Sequence, residues 1–243
     1  VAASRTVSTD RSAHSLHGYF LRAGDTDIPI LYKVDRIRDG KSFTTRRVVA
    51  VQRGQAIFTM SISFQVDEEG LTHQFDMPDV PSPDALPTDE EIRQQQAKIW
   101  NEEIQDSFLG SSAIQVKPID PVDMLNPEPA PPVQRCWMRC GEKLPDDPRI
   151  HQCVLAYLSD WSLLDTATRP HAVSFMQDNV QVASLDHAMW FHRPFRADEW
   201  LLYDQDSPSA NGARGFNRGL IYNQAGELVA STTQEGLVRI HPE

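Results

Sequence analysis

The chain has 243 residues and a formal net charge of −11, enough for one large or two small domains and too acidic for sequence-independent nucleic-acid binding, which needs a basic surface. Its 40% hydrophobic content is that of an ordinary globular protein, and no run approaches the roughly 18 apolar residues of a membrane helix. Three cysteines, an odd count in a chain this long, predict a reducing compartment, the cytoplasm, without a disulfide framework.

Taken in order, residues 1–8 read as the end of a helix. Short strands follow at Ser15–Phe20 and Pro29–Asp35, and Asp39-Gly40 is a hairpin signal. Strands Phe43–Gln52 and Ala56–Gln65 join at Arg53-Gly54, completing an antiparallel meander. Residues 67–133 change character: an acidic stretch punctuated by proline, in which Thr88-Asp-Glu-Glu91 fits a capping box opening a helix to about Gln105. This is an inter-repeat linker on the surface, with Ile114–Ile119 as a short strand.

A strand at Gln134–Arg139 opens the last part of the chain. Asp147-Pro148 supplies an N-cap followed by proline at the first helical position. The helix is predicted to run through Ile150, Val154, Leu155, Leu158 and Trp161 to about Thr168, where Arg169-Pro170 ends it. The stretch Gln181–Phe195 reads as one long strand, with Ser184 and Asp186 on one face and His187 on the other. Then come a strand at Glu199–Gln205, a loop at Ser207–Gly212, and paired strands Ala213–Asn223 and Glu227–Arg239.

An internal repeat organises these elements. Phe20-Leu21-Arg22 resembles Phe191-His192-Arg193, an offset of 193 − 22 = 171 residues. The same offset carries Leu31-Tyr32 onto Leu202-Tyr203 and Arg47 onto Arg218, and a one-residue slip aligns Gly54-Gln55 with Gly226-Glu227. So long a period marks a duplicated domain, not a solenoid. The predicted units are a first repeat over 1–66, the linker over 67–133 and a second repeat over 134–243. In the second, a helix buries its stripe against an antiparallel sheet, an α+β unit, and two such units can set their sheets edge to edge.

Three polar residues sit where chemistry is possible: Asp160 in the helix, Ser184 in the long strand and Gln234 late in the last strand. Each also has an ordinary reading, as a solvated helix face, a small polar filler and an edge-strand amide, and none carries a claim alone. Cys136, Cys140, His151 and Cys153 contain the donor types of a zinc set, but the first two lie along a strand and not in a knuckle, so buried thiols are expected and no metal. Asp186-His187 suggests an acid–base pair, yet neighbours on a strand point to opposite faces. No Gly-x-Ser-x-Gly elbow, P-loop or Gly-x-Gly-x-x-Gly occurs.

The segments Leu185-Asp-His-Ala-Met-Trp-Phe-His-Arg-Pro-Phe195, Ala213-Arg-Gly-Phe216 and Val229-Ala-Ser-Thr-Thr-Gln-Glu-Gly236 resemble the type II acyl-CoA thioesterases, bacterial and peroxisomal. His14-Ser-Leu-His-Gly-Tyr-Phe-Leu-Arg-Ala-Gly-Asp25 and Asp39-Gly-Lys-Ser-Phe43 resemble that family's first repeat. The resemblance implies a double hot-dog fold, two antiparallel sheets each wrapping a long helix. It implies hydrolysis of medium- to long-chain fatty acyl-CoA without a cofactor, by water held among an Asp, a Ser or Thr, and a Gln. Those positions fall on Asp160, Ser184 and Gln234, a set in which the carboxylate can take the proton of water while the other two orient it. Ser184 stands where bacterial members usually carry Thr, as in the peroxisomal branch.

The family's opening strand and Gly-Gly-Gln helix start have no counterpart here, so the first repeat is expected to be incomplete at its N-terminus. The expected partners are acyl-CoA as substrate and further copies of the chain as a homo-oligomer. A peroxisomal site is the alternative to the cytoplasm, although the chain ends in His-Pro-Glu and not a peroxisomal tripeptide. Two other readings stand beside the hydrolase: a hot-dog hydratase or dehydratase, which would use an Asp–His pair, and a non-catalytic acyl-CoA sensor.

Overall fold

The computed structural model describes residues 1–87, 91 and 113–242. The helix expected over 88–105 lies outside them apart from Glu91. One continuous antiparallel sheet carries the fold, not two. Its strands are β1 (Arg11–Phe20), β2 (Leu31–Asp39), β3 (Phe43–Gln52), β4 (Gln55–Val66), β5 (Ile114–Pro118), β6 (Val133–Cys140), β7 (Val180–Ser184), β8 (Asp186–Phe191), β9 (Leu201–Asn211), β10 (Arg214–Asn223) and β11 (Leu228–Ile240). They run in the order β2-β3-β4-β1-β8-β11-β10-β9-β6-β5, with β7 paired to β11. The order reads outward symmetrically from the β1–β8 contact, where Gly18 faces His187.

The duplication extends to the irregularities. In the first repeat the ladders slip at His14 between β1 and β4, at Ile37 between β2 and β3, and at Ile57 between β3 and β4. In the second, the corresponding slips fall between Ala188 and Ser184 on the strand facing β11, at Ser207–Pro208 of β9 and at Val229 of β11. Such one-residue bulges bend a strand and re-aim its side chains. The ion pair Arg47–Asp35 recurs as Arg218–Asp206, and the Arg22 bond to the Ala56 carbonyl recurs as Arg193 to Leu228. The loop expected at 207–212 is instead the end of β9: the bulge accommodates Pro208, which cannot donate to a ladder, and pairing continues to Asn211.

The second repeat carries one α-helix, α1 (Pro148–Leu158), capped by the Asp147 carboxylate accepting from the Arg149 amide at 3.0 Å. It ends ten residues before the expected Thr168 (168 − 158). Ser159 donates its hydroxyl to the Ala156 carbonyl, a local bond that competes with helix propagation. The Ser159 carbonyl meanwhile accepts from the Tyr203 hydroxyl at 2.8 Å. Two 3-10 turns, Leu164–Ala167 and Arg169–His171, continue the segment. Leu155, Leu158 and Leu163 bury against Met189, Leu201, Tyr203, Ile221 and Val229, whereas Trp161 leaves the stripe and is half exposed. In the first repeat the helix end expected over residues 1–8 is a single 3-10 turn, Ser4–Thr6, beside a small core of Ala3, Val48, Ile62 and Phe64.

Candidate active site

The long strand expected over 181–195 breaks at Leu185, and this break builds the site. Ser184 of β7 sits opposite Gly236 of β11, while Ala188 of β8 sits opposite Thr233. Three residues on one side therefore face two on the other, a bulge that shifts side-chain parity by one. In a regular strand Ser184 and His187 would lie on opposite faces. Here both turn toward Asp160.

Asp160 is not within the helix. It follows the Ser159 cap in the turn after α1, its amide bonded back to the Tyr157 carbonyl at 3.4 Å. The Gln234 Nε2 amide donates both to Asp160 Oδ1 and, at 2.8 Å, to Ser184 Oγ. The Ser184 hydroxyl donates weakly to Asp160 Oδ1 at 3.5 Å. The three sequence-predicted residues thus come together from a post-helical turn, β7 and β11. Gln234 is fully buried, while the Asp160 side chain keeps 35% of its surface exposed, so the cluster opens to solvent on the carboxylate side. The Gln234 Oε1 atom is buried without a partner.

Two further residues lie near this cluster: His187, which the sequence paired with Asp186, and Asn217, which it did not single out. His187 is buried, with Nδ1 3.9 Å from Asp160 Oδ1 and Nε2 bonded to Ser159 Oγ at 2.9 Å. Burial pushes its imidazole below the ordinary 6.5, against the opposing pull of the Asp160 and Asp186 carboxylates. Only the bulge brings it here, and period-two reasoning puts it on the wrong face. Asn217, opposite Gln234 on β10, is fully buried, with both amide atoms unpartnered among the described residues. Asp186 does not pair with His187. It turns the other way, bonding His17 of the first repeat at 2.7 Å and accepting from the Glu235 amide at 2.7 Å.

Three of the four candidate zinc donors have separate surroundings, and the fourth, Cys140, is a partly buried free thiol. His151 uses Nδ1 to accept from the Ala197 amide and Nε2 toward the Pro145 carbonyl, Cys153 accepts from the Val1 amino group, and Cys136 is buried in the sheet. Among the described residues no His, Cys, Asp and Glu group is placed to hold a metal.

Directly after Asp160 the chain enters the wall of a cavity of about 380 Å³, which Trp161, Ser162, Val116, Met124 and Phe175 help to line. Its lining is mainly apolar and its size falls in the range of small-molecule sites. Asp165 also faces it, and burial pushes that carboxyl up to about 7. No described helix is long and apolar enough to cross a membrane.

Known proteins give this geometry a context. Residues 106–237 match the family model described as acyl-CoA thioesterase, and residues 1–65 match that of the acyl-CoA thioesterase N-terminal domain. An acyl-CoA thioesterase II from Mycobacterium marinum is 48% identical, with a TM-score of 0.81 over 98% of this chain and 85% of that one. Acyl-coenzyme A thioesterase 8 of Mus musculus is 41% identical over the whole of this chain and 78% of its own. A hot-dog protein from Alicyclobacillus acidocaldarius, 18% identical, shares the fold with a TM-score of 0.72 over 95% of this chain and 80% of that one. The chain has a hot-dog fold and belongs to the acyl-CoA thioesterase family.

Proposed function

We propose that this chain hydrolyses medium- to long-chain fatty acyl-CoA to free acid and CoA by direct attack of a water held at Asp160, Ser184 and Gln234. One observation carries the reading: Gln234 Nε2 bridges a carboxylate and a hydroxyl that arrive from separate elements. Asp160 accepts the proton of the attacking water. Ser184 keeps a hydroxyl hydrogen only weakly engaged and can turn it to the substrate oxygen, where negative charge develops. Gln234, through its amide hydrogens, fixes the separation of the other two groups around the water. The cavity beyond Trp161 suits the acyl chain, and no cofactor is required. Palmitoyl-CoA incubated with the protein should release palmitate and free thiol together.

A second reading has one observation in its favour, the approach of His187 to Asp160, since a hydratase uses such a pair on one carbon. A hydratase would convert 2-enoyl-CoA without liberating thiol, and a sensor would bind without turnover, so assays with palmitoyl-CoA and with 2-enoyl-CoA together separate all three. We further propose that each repeat is a hot-dog unit, the second with its sheet wrapped around α1. On this reading 1–66 and 134–243 are the two units, with the Pro-rich segment 67–133 between them. The exposed apolar side chains of edge strand β2, Leu31, Tyr32 and Ile37, suit association of copies into a homo-oligomer. Three free thiols suit a reducing compartment such as the cytoplasm, with the peroxisome as the alternative.

A further inference from the structure

We propose that His187 is a positioning residue of the hydrolytic centre, whose Nδ1 shares the proton that Asp160 withdraws from the attacking water. The inference rests on Asp160 as the base and adds a residue to that reading.

The His187 ring is held at its Nε2 end. The Ser159 hydroxyl has one hydrogen and three neighbours for it, the Ala156 carbonyl at 3.2 Å, His187 Nε2 at 2.9 Å and Met189 Sδ at 3.9 Å; with the hydrogen on the Ala156 carbonyl, the Ser159 oxygen accepts from His187 Nε2–H. Ser159 is itself held through its carbonyl by the Tyr203 hydroxyl, which also bonds Thr232. With Nε2 protonated, Nδ1 of the neutral ring is a bare lone pair. That atom is buried without a partner among the described residues, in a side chain only 7% exposed. It faces the Asp160 carboxylate oxygen across 3.9 Å. Two acceptors that face each other, with no hydrogen between them, leave a buried polar atom unsatisfied until a proton arrives. Hydrolysis delivers one.

The step balances. A water O–H bond breaks as its oxygen bonds the thioester carbon, and the proton passes to Asp160 and is shared with His187 Nδ1. When the tetrahedral species collapses, the C–S bond breaks, its electron pair leaves on sulfur, and the shared proton returns to that sulfur. The products are free acid and thiol.

The charged and titratable groups that act on the ring are Asp160 from the turn after α1, which faces it, and Asp186 on β8 and His17 on β1, which pair with each other. Burial keeps the ring neutral at neutral pH. As pH falls through its lowered value, the ring takes a proton in advance, pairs with Asp160, and leaves the water without a free acceptor. Turnover should therefore fade on the acid side through the His187–Asp160 pair.

The test measures kcat and KM for palmitoyl-CoA from about pH 5 to about pH 9 in the wild-type chain and in His187→Gln. A glutamine can still bond Ser159 but cannot be protonated. The expected result is a kcat lowered roughly 10- to 100-fold, KM within about twofold, and the acid limb displaced. An unchanged acid limb overturns the proposal. A second measurement needs no His187 variant: imidazole 15N NMR of the wild-type chain and of Asp160→Asn. Removing the Asp160 charge should move the His187 titration midpoint downward by on the order of one pH unit, and an unmoved midpoint overturns the proposal even if His187→Gln fails to fold. Full activity in Asp160→Asn would instead sink the assignment of the base.

Discussion

Gln234 uses both of its amide hydrogens inside the protein, one on Asp160 and one on Ser184, so its contribution is to hold two other groups at a fixed separation. The group left to change protonation state is Asp160. Asp160→Asn can still accept from Gln234 but cannot take a proton, so kcat should fall roughly 10²–10⁴-fold with KM nearly unchanged. A variant keeping more than about half of wild-type kcat would refute the assignment. Ser184 bonds Gln234 and Asp160 and has no imidazole partner, and an unactivated hydroxyl is a poor nucleophile. Mass spectrometry of enzyme quenched during turnover should show no acyl adduct on Ser184. Asp165 offers a test of stability. Its carboxyl, pushed by burial from 3.8 to about 7, binds more protons folded than unfolded between those values. Stability should therefore fall as pH rises from about 4 through about 7, and Asp165→Asn should remove this part of the pH dependence of Tm.

At the scale of elements, the site depends on how closely the turn after α1 approaches the sheet. A Cβ added at Gly236 would lie 2.2 Å from Leu164 Cδ1, and one at Gly215 would lie 2.4 Å from Ala167 Cβ. These two glycines let the 3-10 turn Leu164–Ala167 rest on β10 and β11, and the Asp160 turn immediately precedes it. Gly236→Ala should thus lower stability by about 1–3 kcal/mol through overpacking, and should lower kcat as well, because Gly236 pairs with Ser184. Thermal unfolding with steady-state kinetics checks both. A variant as stable and active as wild type would show that this close approach does not matter. The bulge after Ser184 acts at the same scale. It is what lets a serine and a histidine three positions apart face one carboxylate.

Over the whole molecule, the two halves of the sheet follow one plan, and among the described residues the Asp160, Ser184 and Gln234 cluster has no counterpart in the first half. The register places Ile62 where Gln234 stands and Ala13 where Ser184 stands. Ile62 belongs to the apolar core of the first repeat, with Ala13 packed against it, and neither can orient water. Asn217 is matched there by Arg46, a buried guanidinium bonded to Thr6 and Asp39. The first repeat contributes structure to the site: β1 supports β8, and His17 holds Asp186. Titration with a non-hydrolysable acyl-CoA analogue should saturate at one molecule per chain, and two equivalent sites would contradict this.

The sequence by itself determined the antiparallel meanders, and it singled out three polar residues that the fold brings together. Repeated motifs at one offset, alternation of apolar side chains and glycine turns are local signals that survive without coordinates. The antiparallel strands Phe43–Gln52 and Leu228–Ile240 lie within a residue or two of expectation for that reason. What only the tertiary structure decided depends on contacts distant in sequence. The helix stops at Leu158 because Tyr203, 44 residues from Ser159, takes the Ser159 carbonyl. The two units meet edge to edge, and only the fold shows that β1 and β8 are the strands that join. His187 reaches Asp160 because β11 imposes a register that inserts one extra residue opposite it. A period-two pattern cannot signal such an insertion, since a bulge is set by the partner strand and not by the strand that carries it.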